Sequence, residues 1–505
     1  MILENALIRT LDPQVPTQRA LAIAGEWIAG GVGVHETALA SPEVVDLGGR
    51  VVLPGFSDSH VHFPTWALAQ TEVNLDGCAS LAETLSRVGG ASVVEGRWLR
   101  GYGWRSGDWS DGREPTRQDL DEVTGDRPAA LIAKDYHSLW LNSAALAFAG
   151  GDLDVEGGVV ERDANGEPTG VLREEACWQF KRRHMIVADA EYLDAMRSGI
   201  KLASSRGVTA VHDKDGWLGA LRLWQQLDEQ GTLTLRVWQS IPADELDSVS
   251  GHLRSGFGSS ILRLGYLKVF MDGTLGSQTA WMLDDSGVRI TSGEELAEIV
   301  LRGAAAGWPV AVHAIGDKAN REALDAFEKT RDVWQPLGLR HRIEHAQLLA
   351  PEDVARFAEI GITASVQFAH APSDRDLADR FWAGKTGGAY AYRSLIDSGA
   401  VLVNGSDAPI EELDPLAGVR AGVRRSIDER DAWHPEQCVT VDQAFHATCV
   451  TPAWLARDER RRGTLIPGRL ADLVVLDRDP WEDLDAQVVA TMVGGRWVHN
   501  PPPWD

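Results

Sequence analysis

The stretch VVLPGFSDSHVHF, residues 51–63, places three polar side chains at alternate positions, Asp58, His60 and His62. Side chains alternate across a strand with a period of two, so these three groups share one face. Two imidazoles on one face, two residues apart, can hold one metal ion from a single rigid element. A pair of half-exposed strand histidines is the alternative, because a His-x-His pair by itself is weak evidence for a metal site.

Other potential ligands stand where further strand-like segments end. Lys268 lies near the end of LRLGYLKVFMDG, His313 lies in WPVAVHAIG, His345 in LRHRIEHAQ and Asp407 at the end of AVLVNGSD. Each residue alone has a structural alternative; Asp407, for example, could cap the turn before Pro409. Taken together with the histidine pair, these residues favour one metal centre assembled from several strands.

The elements that must position these residues follow a regular α/β rhythm from about residue 190 onward. Strand patterns such as VTAVHD and ITASVQF alternate with helical patterns such as SGEELAEIVLRGAAAG. With the segment that ends at His62 there are eight strand candidates, which predicts a (β/α)8 TIM-like barrel of the α/β class. Active-site residues of such barrels come from the carboxyl ends of the strands, where the potential ligands stand.

At 505 residues the chain exceeds what one hydrophobic core usually supports. We predict a barrel over 51–462 with an insertion at about 64–205, after the first barrel strand. Short alternating strands at both ends predict a composite β-sandwich domain from 1–50 plus 463–505, because chain termini often lie close together. Two separate β appendages are the alternative.

Several further residues are candidate contacts for a substrate. Trp104 and Trp109 lie in GYGWRSGDW and His137 lies in KDYHSLWLNS, all within the predicted insertion. Packing inside the insertion explains each of these three equally well. Asp272 and His370 follow the fourth and seventh predicted strands. Asp407 is the first candidate for a catalytic base, and these two residues are the next.

Composition excludes several classes of partner. The formal net charge is −25, which argues against nucleic acid and anionic membrane surfaces. The N-terminus has no signal-peptide pattern. The sequence contains no run of about 18 apolar residues, so no membrane span is predicted. The four cysteines are dispersed and form no C-x-x-C pair, so we expect reduced thiols and a cytoplasmic location. They are Cys78, Cys177, Cys438 and Cys449.

Five segments, in this order, resemble the amidohydrolase superfamily: DSHVH, LKVFMDGTLGSQTA, VAVHAIGD, RIEHAQ and NGSDAP. They are most similar to its branch of amidases typified by N-substituted formamide deformylase. The resemblance extends to PTRQDLDE, SVQFAHAPSD and PGRLADLVVLDRDP, so it covers nearly the whole chain.

The resemblance implies one or two divalent ions. His60, His62 and Asp407 would bind the more buried ion, and His313 and His345 would bind the second. Imidazole and carboxylate ligands suit Zn2+ best, with other divalent ions as competitors. A bound ion of this kind lowers the pKa of its water to about 7 and polarises an amide carbonyl.

The resemblance also places Lys268 where related enzymes carry a carboxylated lysine that bridges both ions. An unmodified lysine ammonium is a donor only and would be a poor ligand. Asp407 could take the proton of the attacking water and return it to the departing nitrogen. We expect Asp58 to orient a metal ligand from outside the coordination sphere. Glu344 directly precedes His345, so we expect it to face away from the metal and to be structural.

These observations predict a metal-dependent hydrolase that cleaves a non-peptide C–N bond, of amide or N-substituted formamide type, in a small-molecule substrate. A deaminase or a hydrolase of cyclic amides or esters would share the fold and the metals. A barrel that only binds small molecules is the alternative from another class. A serine hydrolase is disfavoured because no G-x-S-x-G motif is present. The sequence admits a homo-oligomer and does not define the oligomeric state.

Overall fold

The structure is a computed structural model that describes residues 1–30, 43–92, 98–110 and 112–504. Its strands, in chain order, are β1 Ile2–Glu4, β2 Leu7–Arg9, β3 Thr17–Gln18, β4 Leu21–Ala24, β5 Trp27–Gly30, β6 Val44–Asp46, β7 Val51–Pro54, β8 Phe56–Val61, β9 Val73–Asn74, β10 Leu99–Trp104, β11 Ala129–Ala133, β12 Ser138–Leu141, β13 Gly158–Arg162, β14 Pro168–Glu174, β15 Val208–Asp213, β16 Arg236–Pro242, β17 Leu262–Phe270, β18 Val310–Ala314, β19 Arg342–His345, β20 Thr363–Val366, β21 Leu402–Asn404, β22 Leu473–Leu476, β23 Val488–Val493 and β24 Arg496–His499.

The α-helices connect these strands and cover the largest sheet. They are α1 Phe63–Ala69, α2 Leu81–Gly89, α3 Arg117–Thr124, α4 Ser143–Leu146, α5 Glu175–His184, α6 Asp189–Ser205, α7 Ala220–Glu229, α8 Leu246–Val249, α9 Gly293–Ala306, α10 Asp317–Trp334, α11 Pro351–Ile360, α12 His370–Phe381, α13 Tyr392–Asp397, α14 Pro415–Arg424, α15 Val441–Phe445 and α16 Thr451–Leu455.

The largest sheet contains eight parallel strands in the order β21-β20-β19-β18-β17-β16-β15-β8. A parallel bridge between Val61 and Ala408 brings the first strand to the segment that follows the last one, so the sheet is nearly closed. Most residues of these strands are buried, as expected for a parallel sheet covered by helices. The predicted (β/α)8 barrel is confirmed, including all eight strand segments.

Local signals in the sequence place the helices between these strands. Helix α9, for example, begins at a capping box in which Ser292 and Glu295 bond each other's backbone N–H groups. It ends at Gly307, whose φ of 77° lies in the left-handed region that glycine adopts at least cost. Such start and stop signals make the strand–helix rhythm readable from the sequence alone.

Strands from both chain ends form one composite structure. The six-stranded sheet β24-β23-β22-β7-β2-β3 pairs C-terminal β22 antiparallel with N-terminal β7, and the other sheet is β5-β4-β1-β6. Both sheets contribute to one apolar core that includes Leu3, Val52 and Leu473. The predicted composite β-sandwich is therefore confirmed, and two separate appendages are excluded. The predicted bounds of this domain, 1–50 plus 463–505, stay a prediction. Strand β7 follows residue 50 and belongs to the six-stranded sheet.

The predicted insertion lies between α1 and α6 and has its own mixed sheet, β13-β14-β12-β11-β10-β9. Helices α2 to α5 belong to the same segment, and one side of the sheet packs an apolar core that contains three tryptophan rings. Among the described residues, no helix combines the length and the apolar character that a membrane crossing requires.

Candidate metal centre

Three predicted ligands meet at the carboxyl end of the barrel. Asp407 Oδ1 lies 3.2 Å from His60 Nε2, and Asp407 Oδ2 lies 3.6 Å from His345 Nδ1. One potential ligand atom from each of these residues lies within 4.8 Å of the others, and all three residues are buried. In the part of the chain that the structure describes, this is the one such group of histidine, cysteine or carboxylate residues.

The backbone places Asp407 against the first strand. Its N–H donates to the carbonyl of His60 over 2.7 Å, and the N–H of His62 donates to the carbonyl of Ala408 over 2.9 Å. Asp407 has a φ of 58°, a left-handed conformation that aspartate tolerates better than most residues. The chain turn after β21 therefore delivers this carboxylate to the histidine pair.

His62 joins the same carboxylate from the start of α1. Its Nε2 lies 3.7 Å from Asp407 Oδ1, while its Nδ1 lies 2.7 Å from Asp215 Oδ1. Asp215 follows the second barrel strand and also accepts the backbone N–H of Thr65. Burial alone would lower the pKa of His62, but the carboxylates of Asp215 and Asp407 together outweigh it and leave that pKa raised. Asp215 therefore holds Nδ1 and turns Nε2 toward Asp407.

His60 is held in the same manner by a residue of the sixth strand. Its Nδ1 lies 2.8 Å from Glu344 Oε2, and the other oxygen of Glu344 lies 2.8 Å from Arg342 Nε and 3.0 Å from Lys214 Nζ. All four side chains are almost completely buried. Burial would raise the pKa of Glu344, but Arg342 and His60 outweigh it and lower that pKa.

This contact corrects the expectation that Glu344 faces away from the metal centre. The expectation rested on strict alternation along a strand, in which the neighbours Glu344 and His345 point to opposite faces. His345 instead has a φ of 73°, outside the extended range, so both side chains turn into the barrel. Glu344 is outside the ligand group and contacts the far nitrogen of His60.

Two further predicted ligands lie on the neighbouring strands. The ring centroids of His313 and His345 lie 4.6 Å apart. His313 pairs in register with Phe270 of the neighbouring strand β17. Lys268 is buried, and its Nζ has no hydrogen-bond partner among the described residues. It lies 4.5 Å above the ring of Phe270, and burial lowers its pKa to about 8. A buried amine without an acceptor is costly, so this position suits an amine that is modified or neutral.

The two candidate bases after Asp407 differ in their surroundings. Asp272 lies 3.6 Å from His313 Nε2, but its carboxylate accepts backbone N–H groups from Trp281, Ile315 and Gly316. Burial raises the pKa of Asp272 to about 7.

His370 begins α12 after the seventh strand. Its Nε2 lies 3.9 Å from Asp407 Oδ2, and its ring stacks on that of His345 with an interplanar angle of 5°. His370 Nε2 also has no hydrogen-bond partner among the described residues. Of the two candidates, His370 therefore has the freer functional atom.

Asp58 acts on the backbone. Its carboxylate accepts the N–H of His60 over 3.0 Å, and the N–H and hydroxyl of Ser406 over 3.1 Å and 2.5 Å. Burial raises the pKa of Asp58 to about 7. Asp58 thus joins the first strand to the residue before Asp407, whereas the predicted orientation of a ligand ring stays a prediction.

The predicted substrate contacts lie in two places. Trp104 and Trp109 pack against each other and against Trp140 in the core of the insertion, and Trp104 Nε1 donates to the carbonyl of Leu131. His137 lies beside the histidine cluster, with its ring centroid 6.4 Å from that of His313. The structure therefore brings His137 to the site, and a substrate contact of the two tryptophans stays a prediction.

Sequence reasoning missed the groups that hold the histidines. The pattern HDKD after the second strand was a usable signal for Asp215, because polar residues at a barrel strand end are candidate site residues. Gln367, whose Oε1 lies 2.9 Å from His345 Nδ1, had a similar signal at the end of the seventh strand. Glu174 lies in the insertion and carried no signal at all.

The eight parallel strands form a nearly closed barrel. Histidines and an aspartate cluster at the carboxyl ends of these strands, so the protein is an α/β barrel with a candidate metal centre. The chain belongs to the amidohydrolase family, whose profile matches residues 43–499. The predicted superfamily is thereby confirmed.

Individual relatives cover almost the whole chain. It is 31% identical to Protein LONG AFTER FAR-RED 3 of Arabidopsis thaliana, over 99% of this chain and 91% of that protein. It is 28% identical to N-substituted formamide deformylase of Arthrobacter pascens, over 98% of this chain and 97% of that protein. A solved structure of an uncharacterized metal-dependent hydrolase from Pyrococcus furiosus is similar with a TM-score of 0.76 and 29% identity, over 95% of this chain and 99% of that one.

Proposed function

We propose that this chain is a hydrolase that uses a divalent metal, Zn2+, to cleave a non-peptide C–N bond of amide or N-substituted formamide type. The observation that carries the proposal is the convergence of His60, His345 and Asp407 at the carboxyl end of the barrel. The amidohydrolase family of this chain supports this reaction class, as does its 28% identity to a formamide deformylase.

The residues present fit a metal. His60 Nε2 is buried and has no hydrogen-bond partner in the described residues, although Asp407 lies within 3.2 Å. A buried imidazole nitrogen held beside a carboxylate is the donor set that Zn2+ prefers. The contacts of Glu344 and Asp215 orient the two rings of the histidine pair, as carboxylates commonly do for metal-binding histidines.

We assign His60, His62 and Asp407 to one ion, and His313 and His345 to a second. Lys268 would bridge the two when carboxylated. Carboxylation would also remove the cost of a buried amine that has no hydrogen-bond partner within the described residues. When bound, such ions acidify water and polarise a carbonyl group.

The chain's own part in the reaction is proton transfer and positioning. Asp407 takes a proton from the attacking water while the oxygen of that water adds to the acyl carbon. The C–N bond then breaks, and Asp407 returns the proton to the departing nitrogen. The products are a carboxylic acid and an amine, so atoms and charge balance. His370, within 4 Å of Asp407, is placed to act on the same carboxylate.

The test is product analysis with the zinc-loaded protein and a panel of small N-substituted formamides and acetamides, extended with amino-substituted heterocycles, cyclic amides and esters. Release of an acid and an amine in equal amounts is expected. Release of ammonia alone would instead establish a deaminase, and turnover confined to cyclic amides or esters would establish a hydrolase of those bonds. A purified chain that holds no divalent ion and gains no activity with added metal would be a binding barrel.

The four cysteines are free, in keeping with the proposed cytoplasmic location.

A further inference from the structure

The insertion brings the side chain of His137 to the surroundings of the candidate metal centre. His137 lies between β11 and β12, is buried, and has its ring 6.4 Å from that of His313 and 5.0 Å from Trp178. The insertion has its own apolar core, and the contacts that bring His137 to the barrel rim can be followed residue by residue.

Glu174, at the end of β14, holds His137. Its Oε2 lies 2.7 Å from His137 Nδ1, and its Oε1 accepts the hydroxyls of Ser277 and Thr279 over 3.0 Å and 2.8 Å. Glu174 is buried and accepts all these bonds as a carboxylate. Because Glu174 occupies Nδ1, Nε2 is the ring atom of His137 that is left for a ligand.

The same carboxylate joins the insertion to the loop after the fourth barrel strand. That loop also contacts the metal centre, since the carbonyl of Gly273 lies 3.0 Å from His313 Nε2. Gly273 leaves no room for a larger residue, because an added Cβ would lie 1.9 Å from Thr279 Oγ1. A continuous set of contacts therefore runs from His137 through Glu174 and this loop to His313.

The backbone around His137 is strained in two places. Tyr136 has a φ of 61°, and Glu174 has a φ of 51° with a ψ of −128°. Glu174 N–H donates to the carbonyl of His137 over 2.9 Å, so the two strained residues flank the same histidine. Residues in sparsely populated backbone regions persist only where the surrounding structure holds them, and they cluster at functional sites.

We propose that His137 is a substrate-contacting residue, which forms a hydrogen bond through Nε2 with a polar group of the amide substrate beside His313. Glu174 is the positioning residue that orients it. The inference rests on the proposed function and adds the residue through which the insertion selects the substrate. The loop after the fourth strand keeps the pair in register with the metal centre.

The test compares His137→Gln, Glu174→Gln and the double variant as zinc-loaded proteins. Turnover of N-substituted formamides gives kcat and KM, and calorimetric titration with acetohydroxamate, a small amide analogue, gives a binding constant that needs no turnover. The matched control is His434→Gln. His434 forms a similar pair with Glu436 over 2.9 Å, on a partly exposed turn. Zinc content and circular dichroism are measured for each protein.

We expect His137→Gln to lower kcat/KM and acetohydroxamate affinity about tenfold, the value of one good hydrogen bond, with zinc content unchanged. Glu174→Gln should lower both severalfold, and the double variant should be no worse than His137→Gln, since Glu174 acts through His137. His434→Gln should match the wild type.

Acetohydroxamate affinity within twofold of the wild type in His137→Gln would overturn the inference, as would additive effects in the double variant. Loss of zinc from His137→Gln would also overturn it, because His137 would then belong to the metal centre. A wild type that binds zinc but turns over no amide would overturn the proposed function, and the acetohydroxamate titration alone would then decide the role of His137.

Discussion

The Nδ1 atom of His60 lies 2.8 Å from Oε2 of Glu344, although 284 residues separate the two along the chain. Because an ionised carboxylate only accepts hydrogen bonds, this contact sets the ring proton on Nδ1 and leaves Nε2 for a metal. Lys214 and Arg342 surround the other oxygen of Glu344, so the carboxylate itself cannot turn away. The orientation of the first candidate ligand therefore depends on the sixth strand of the barrel.

Glu344→Gln should weaken zinc binding about 10- to 100-fold, because the amide holds the His60 ring less firmly than the carboxylate. Competition with a chelating dye measures the affinity, and circular dichroism verifies that the variant is folded. Glu359→Gln, an exposed glutamate on helix α11, is the control and should bind zinc as the wild type does. Equal affinities in the two variants would remove Glu344 from the metal centre.

His60→Ala and His62→Ala should each lose the more buried ion, because each removes one of few ligands. Elemental analysis after extensive dialysis measures the metal bound per chain. His252→Ala, at an exposed position, should retain the wild-type content. Unchanged metal in both site variants would show that the histidine pair is not a metal site.

Lys268→Ala should lose the second ion and regain part of its activity when a small carboxylate such as acetate is added. The reason is that Lys268 Nζ is buried and has no hydrogen-bond partner in the part of the chain that the structure describes, and a carboxylated lysine would bridge both ions. Electron density at the side chain of the metal-loaded wild type is the direct measurement. A plain ammonium group beside a single, fully occupied metal would contradict the prediction.

Asp407→Asn should keep at least one metal and bind substrate, while kcat falls by at least about two orders of magnitude, since the amide cannot carry the proton. The backbone should tolerate the change because asparagine, like aspartate, adopts the left-handed conformation observed at φ 58°. Metal content and steady-state kinetics separate binding from chemistry. A kcat within about threefold of the wild type would move the base to His370, whose Nε2 has no hydrogen-bond partner among the described residues.

Stability should fall with acidification because of a histidine outside the site. His341 is fully buried and accepts the N–H of Val310 at Nδ1, and burial lowers its pKa to about 3 from an ordinary 6.5. Below pH 6.5 the unfolded chain binds a proton that the folded chain excludes, so the free energy of unfolding decreases as pH falls through that window.

Urea unfolding should accordingly show a loss of about 2 kcal/mol from this residue between pH 7.5 and pH 5. His341→Asn keeps an acceptor for Val310 but cannot titrate, so its stability should change less over the same range. The comparison uses the metal-loaded protein, so that the histidines of the metal centre are held neutral in both chains. Identical pH dependence in the two proteins would show that His341 does not contribute.

The eight barrel strands and the positions of the potential ligands at their ends were predictable from the sequence. Both follow from local patterns: alternation with a period of two, apolar runs, and helix caps such as Ser292. His60, His345 and Asp407 could be predicted to meet because parallel strands bring their carboxyl ends to one rim.

The groups that hold those ligands became apparent only in the folded chain. Asp215, Glu344 and Glu174 each contact a histidine on a different segment of the chain, over separations that no local period encodes. The left-handed backbone at His345 likewise depends on its surroundings, and it overturned the alternation rule for Glu344. Local periodicity specifies which face a residue occupies, whereas the partner across the barrel depends on how the strands close.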